Sequence, residues 1–371
     1  MEFSTDVKKL FSLIWPASVV CLLMVGRIYD SRLSFNGLNI VLVINLLPII
    51  AIPFHTIIKK KIDRNFFIFL AVIIFLVSYS CILFNFYGIN EYEDYSISKI
   101  VYFFLVFIPI LYFKYAHGLN NNFFFILYMA CFIFFLFGLS KITSSPERMA
   151  LFGGGPIVFA RWIGIFAILT TYFIQNRIIK FLLILLSFSL IIKTGSKGPF
   201  LFLLISFLFN FFSKLDLKKI LIVFTLIVII GTQLVDFLSQ IIGPRIFSIF
   251  SGEAMGATST LGRIDRWRLA IEVFLQNPFG VGFGNYVPIS KTIESNDFIM
   301  AEYPHNLFLE LVSELGILGL LLVFIIIFKL IKNIKEENQP LFQKQLLIFI
   351  FLNTMVSGDI MDARFFFLFL L

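Results

Sequence analysis

The sequence predicts an all-α, polytopic helical membrane protein, with about 12 transmembrane helices and one large external loop. Three observations carry this expectation. Hydrophobic residues make up 59% of the 371-residue chain and charged residues only 14%, where a soluble domain carries about 25% charged residues. That leaves too little polar side chain to coat a water-soluble globule of this size. Apolar runs also recur along the whole chain at lengths suited to a hydrocarbon core about 30 Å thick. Finally, the mean hydropathy is +0.96, and the only long interruption of the apolar pattern is 239–305.

Taken in order, the chain opens with Lys8 and Lys9 before an apolar run that reaches Val25. This resembles a signal peptide, but Cys21-Leu22-Leu23-Met24 lacks a small-x-small cleavage site and more spans follow, so it reads as a retained first span. The expected spans are 10–26, 38–54, 66–87, 97–115, 121–140, 156–174, 178–193, 199–212, 217–238, 306–328, 342–357 and 359–371. Alternate connections are basic. One set carries Lys59, Lys60, Lys61 and Arg64, then Lys114, then Arg177 and Lys180, then Lys214, Lys218 and Lys219, then Lys329, Lys332 and Lys335; the opposite set includes Glu91, Glu93 and Asp94. The positive-inside rule places the basic set and both termini in the cytoplasm. The net charge of +8 then reports orientation in the membrane, and nucleic acid is not a partner.

This topology divides the chain into an N-terminal bundle of about nine spans (1–238), a large external loop with short helices (239–305) and C-terminal transmembrane helices (306–371). Within the loop, Ile264, Trp267, Ile271 and Phe274 recur at helical spacing, predicting a helix over Arg263 to Leu275 with Trp267 as an interfacial anchor. Pro278-Phe279-Gly280-Val281-Gly282-Phe283-Gly284 breaks it. No strand precedes these glycines, so they read as a flexible turn and not as a dinucleotide loop. Cys21, Cys81 and Cys131 all lie in apolar runs and read as small core residues without disulfides.

Charge inside a membrane is costly, so its placement is informative. Tyr303-Pro304-His305-Asn306 leads into Leu307 to Glu314, with Asn306, Glu310 and Ser313 on one helix face. The purely apolar part, Leu315 to Phe328, covers only about 21 Å at 1.5 Å per residue. The first two turns must therefore be sunk into protein or a wet cavity. His305 at its mouth is either an interfacial histidine among capping residues or an imidazole placed to accept a proton. Arg161 lies about one and a half turns inside a span, either snorkelling outward beside Trp162 or facing the bundle as an anion site. Thr194-Gly195-Ser196-Lys197-Gly198-Pro199 is either an ordinary hairpin turn or a recessed backbone that holds a phosphate with Lys197. Arg245, Arg263, Arg266 and Arg268 form either a solvated basic face or a pyrophosphate clamp. The histidines and carboxylates show no metal-ligand spacing, so neither a metal nor any other cofactor is expected.

Gly262-Arg263-x-x-x-Trp267, Asn277-Pro278-Phe279-Gly280-Val281-Gly282, Pro304-His305-Asn306 and Glu314-Leu315-Gly316-Ile317-Leu318-Gly319, in this order, resemble the O-antigen polymerase and O-antigen ligase superfamily. The match is strongest over 262–319, with a departure at Ser196-Lys197-Gly198, where the family often has Ser-Arg-Gly. Lysine keeps the charge but loses the planar fork. The resemblance implies a metal-independent GT-C type glycosyltransferase of the bacterial inner membrane, with its active site and large loop facing the periplasm. The implied donor is a glycan on undecaprenyl pyrophosphate, and a chain-length-regulating membrane protein is a further partner class. In that reading His305 is catalytic together with Arg263 and Arg266, while Arg161, Lys197, Arg245, Trp267, Asn306 and Glu310 hold pyrophosphate and glycan. A polymerase, a ligase acting on lipid A–core, and a flippase of lipid-linked sugar are the functional classes in contention. The flippase reading lacks the paired halves and midplane charges that transporters show.

Overall fold

The computed structural model describes residues 5–24, 34–35, 38–39, 49–50, 52, 64–87, 93–116, 118–141, 149, 155–212, 254–293 and 303–371. Arg245, His55, His117, the expected span 217–238 and most of 38–54 lie outside these residues. The described chain is helical apart from a two-residue ladder, in which β1 (Ser34–Phe35) pairs antiparallel with β2 (Leu38–Asn39). The helices are α1 (Thr5–Met24), α2 (Arg64–Tyr87), α3 (Glu93–Ala116), α4 (Asn121–Lys141), α5 (Pro156–Phe173), α6 (Arg177–Lys193), α7 (Lys197–Phe212), α8 (Ala254–Gln276), α9 (Tyr286–Ile293), α10 (Leu307–Lys335), α11 (Leu341–Thr354) and α12 (Arg364–Leu370).

Five segments among the described residues are long and apolar enough to cross a membrane: Arg64–Leu83, Lys99–Ala116, Asn121–Lys141, Pro156–Phe173 and Leu307–Lys335. Their outward faces are apolar, with Phe75 57% and Phe328 73% exposed. Such rings are costly in water but lose nothing against lipid tails, which are as apolar as leucine. The protein is thus a multi-pass helical membrane protein. The expected span 359–371 is not a continuous helix. Residues 355–363 form a turn around Gly358 (φ 91°), and Asp359 Oδ1 accepts hydrogen bonds from the Met361 and Asp362 N–H groups.

The contacts divide the chain into two compact units interleaved in sequence: Met1–Leu127 with Arg263–Glu336 and Thr354–Leu371, and Tyr128–Gly262 with Glu337–Asn353. In the first, α1, α2 and α12 pack on α3, and α10 packs on α9 and α12. Aromatic edges fill the core: Tyr112 meets Trp15 at 5.7 Å and Phe66 at 5.4 Å, both nearly perpendicular, the favoured quadrupole geometry. In the second unit, α5, α6 and α7 pack together. Phe166 stacks on Phe135 at 4.5 Å and on Tyr128 at 5.3 Å. Asn176 caps α6 by accepting from Ile178 and Ile179 N–H, which fixes the short α5–α6 connection. Of the cysteines only Cys131 lies in a core; Cys21 and Cys81 sit on exposed helix faces.

Candidate functional site

The head of α10 is set by Asn306. Its side-chain oxygen accepts from Phe308 N–H at 2.9 Å and Leu309 N–H at 3.1 Å, satisfying two of the open donors of a helix start. Pro304 lies three residues before the helix. The Asn306 amide nitrogen donates to Met355 O at 3.0 Å. Between Pro304 and the cap stands His305, the one non-glycine residue with a left-handed φ (57°) among the described residues. That conformation costs an ordinary side chain about 1–2 kcal/mol, and such strain persists only where surrounding structure imposes it. Tyr303 flanks the imidazole with ring centroids 4.6 Å apart.

As the sequence required, the first two turns of α10 are sunk in protein: Glu310, Ser313 and Glu314 are buried. Helical geometry then breaks at Gly316 (φ 62°, ψ −135°). The freed backbone groups are taken up by the 277–285 turn. Gly282 N–H donates to Glu314 O at 2.7 Å, Val281 N–H to Ser313 O at 3.3 Å, and Ile317 N–H to Pro278 O at 2.9 Å. Main chain meets main chain here: a Cβ on Gly280 would lie 2.5 Å from Glu314 O, and one on Gly316 2.3 Å from Pro278 O. The turn expected to be flexible is therefore fixed, with Gly280, Gly282 and Gly284 at φ 85°, 89° and 83°. Two motifs 30 residues apart form the two sides of one contact.

A buried ionic cluster locks this arrangement. Lys99 Nζ of α3 donates to Glu310 Oε1 at 2.6 Å and Glu314 Oε1 at 2.8 Å, with the three side chains 6%, 1% and 1% exposed. Glu310 Oε2 accepts from Ile360 N–H at 2.8 Å, and Glu314 Oε1 also accepts from Gly284 N–H at 3.0 Å. The other Glu314 oxygen is buried without a hydrogen bond. Asp359 lies close enough to interact electrostatically with both glutamates. Both Glu310 oxygens are thus engaged internally. Lys99 and the 355–363 turn were not singled out from sequence, and Glu314 stood only as the first residue of a motif, without a role. A lysine just inside a span reads as snorkelling until its partners, 211 and 215 positions away, are seen.

The helix predicted over Arg263 to Leu275 is α8, beginning earlier at Ala254. Ala270 and Val273 of α8 share one apolar cluster with Val281, Tyr286 and Ile289, and Leu309 of α10 packs against it. Tyr286 Oη donates to Arg266 O at 3.2 Å. The helix bearing Arg263, Arg266 and Trp267 and the arm after His305 are therefore braced on the same core. Arg263, Arg266 and Trp267 are partly buried, and the Trp267 indole N–H is enclosed without a hydrogen bond. Arg268 faces outward, 3.9 Å from Glu272 one turn on, the solvated reading for that one residue.

Arg161 and Lys197 belong to the second unit. Arg161 is partly buried on α5. Lys197 opens α7 after a tight turn in which Thr194 Oγ1 accepts from Ser196 N–H at 3.2 Å. Ser196 is 2% exposed, yet its hydroxyl has no hydrogen bond, an uncommon state for a buried polar group. The sequence placed Ser196 in this hairpin but gave its hydroxyl no role, because serine is unremarkable in a turn. Among the described residues no group of three or more His, Cys, Asp or Glu is disposed to hold a metal ion. An apolar cavity of about 250 Å³ lies within the first unit, lined by Phe69, Phe103, Phe107, Phe283, Leu322 and Phe367.

Fold and site together define a multi-pass helical membrane protein with a strained histidine heading a buried, ion-paired helix arm. Residues 181–324 match the family model described as O-antigen ligase. The match takes in every motif noted above from Ser196 to Gly319, so this part of the chain is similar to the O-antigen ligase family. No curated protein matches the chain.

Proposed function

We propose that this protein is a surface-polysaccharide polymerase. It transfers a glycan from undecaprenyl pyrophosphate to an acceptor hydroxyl of another lipid-linked repeat unit at the periplasmic face of the inner membrane. The observation that carries this reading is His305: a left-handed, partly buried histidine at the head of α10, inside the stretch matched by the family. His305 takes the proton of the acceptor hydroxyl while its oxygen attacks the anomeric carbon. The bond from that carbon to the pyrophosphate oxygen breaks, and the departing charge is met by Arg263 and Arg266, whose guanidinium forks suit phosphate oxygens. Asn306 seats the arm. Trp267 offers an aromatic face and an enclosed N–H to the glycan. Arg161, Lys197 and Arg245 are proposed as further anion-binding residues, with Ser196 beside Lys197. The apolar cavity gives a prenyl tail a place out of lipid.

The second reading is an O-antigen ligase, favoured by the description of the matched family; it differs only in its acceptor, lipid A–core. Deleting the gene tests both. Loss of a polymerase leaves core capped by a single repeat; loss of a ligase leaves bare core and accumulated lipid-linked polymer. An unaltered surface glycan profile would remove both.

A further inference from the structure

Three struts converge on the arm that carries His305. Asn306 Nδ2 donates to Met355 O at 3.0 Å. One helical turn later, Glu310 N–H donates to Asn306 O at 3.0 Å and Glu310 Oε2 accepts from Ile360 N–H at 2.8 Å. The 355–363 turn is therefore held at Met355 and at Ile360 by residues four apart on one face of α10. From the other side Lys99 holds Glu310 Oε1, tying the arm to α3. The turn itself is anchored below: Arg364 Nε donates to Leu23 O at 3.0 Å, and its Nη1 to Met361 O at 3.0 Å.

We propose that Glu310 is a positioning residue for His305. Its carboxylate joins α3 and the 355–363 turn to the first turn of α10 and so imposes the backbone conformation that aims the imidazole. This assignment rests on the reading of His305 as the base. It departs from a role for Glu310 on substrate, because both carboxylate oxygens already have protein partners. The physical basis is that a left-handed φ at a residue other than glycine relaxes unless neighbouring contacts over-determine it. Here the contacts on the helical side, at Asn306 and Glu310, end on the same turn. A charged hydrogen bond and a backbone N–H bond to one carboxylate fix its position more firmly than neutral pairs do.

The test uses the full chain in lipid nanodiscs with carbon-13-labelled histidine rings. The sequence has three histidines, His55, His117 and His305, so three ring signals suffice, and the His305→Gln variant assigns the one of interest. Glu310→Ala, with the neutral isostere Glu310→Gln alongside in case alanine prevents folding, is expected to move or broaden the His305 signal alone. In the joining assay it should lower kcat tenfold or more and leave KM for the lipid-linked donor within twofold. A merely structural role would disturb all three signals, or lower the amount of folded protein without this kcat-against-KM split; either outcome overturns the proposal. An unmoved His305 signal in a folded variant overturns it as well. A shifted signal with unaltered joining removes His305 from the chemistry, and with it the reading on which the assignment rests.

Discussion

Replacing Gly316 by alanine tests whether α10 and the 277–285 turn are one unit. The added Cβ would lie 2.3 Å from Phe279 C and Pro278 O and 2.4 Å from Gly280 N, all of them main-chain atoms that no rotamer change can clear. Ordinary contact requires the two strands of backbone to part by about 1 Å. Parting by that much takes the Ile317 N–H to Pro278 O bond, now 2.9 Å, out of hydrogen-bonding range. Leaving those buried groups unmade costs about 1–3 kcal/mol, and holding alanine at φ 62°, ψ −135°, where only glycine is at ease, costs about 1–3 kcal/mol more. The expected loss is therefore about 2–6 kcal/mol. Gly262 is the control: nothing lies within 4 Å of a Cβ built there, and within α8 alanine gains up to about 1 kcal/mol of helix propensity. Unfolding in mixed micelles, followed by near-ultraviolet circular dichroism, should rank Gly316→Ala well below wild type and Gly262→Ala at or above it. Equal stability of the two variants would refute the main-chain contact as the reason for the glycine.

Other expectations follow from the same geometry. Lys99→Met leaves two buried carboxylates facing each other and should cost about 3–5 kcal/mol, whereas Lys99→Met combined with Glu310→Gln and Glu314→Gln should recover most of that stability; micelle unfolding reads both, and no recovery would mean the cluster is not held by charge. Ser196→Ala should leave stability within about 0.5 kcal/mol, because the hydroxyl it removes makes no hydrogen bond, while raising KM for the lipid-linked donor. A large stability loss would show the hydroxyl to be part of the packing instead.

The helical architecture was legible where polar punctuation frames apolar runs. The runs expected at 156–174, 178–193 and 199–212 appear as Pro156–Phe173, Arg177–Lys193 and Lys197–Phe212, because Pro156, Arg177 and Lys197 mark helix starts as well as run boundaries. Composition misled at the C-terminal end. Phe365 to Leu371 has the hydropathy of a span, but Gly358 and Asp359 build a turn from backbone conformation and side-chain capping, which hydropathy does not register. The burial of the α10 arm followed from arithmetic on helix length. What holds it did not, because an ion pair across more than 200 residues leaves no local trace. Intramembrane charge does carry the signal: Lys99 inside one span and Glu310 and Glu314 inside another are complementary, and pairing them was open to sequence reasoning. The glycine motifs were visible as motifs, but their purpose as two faces of one main-chain contact needed coordinates. The site residues divide in the same way. His305 and Asn306 stand out by type and place, whereas Ser196 is ordinary in composition and unusual only in being buried without a hydrogen bond.

The claim on which all of this depends is that His305 performs the proton step of glycan transfer. Purified wild-type protein and His305→Ala, reconstituted in vesicles with lipid-linked oligosaccharide, measure it directly. Loss of glycan joining by a factor of about 100 or more, with unfolding matched to wild type, is the predicted result; joining at the wild-type rate in the folded variant would contradict it.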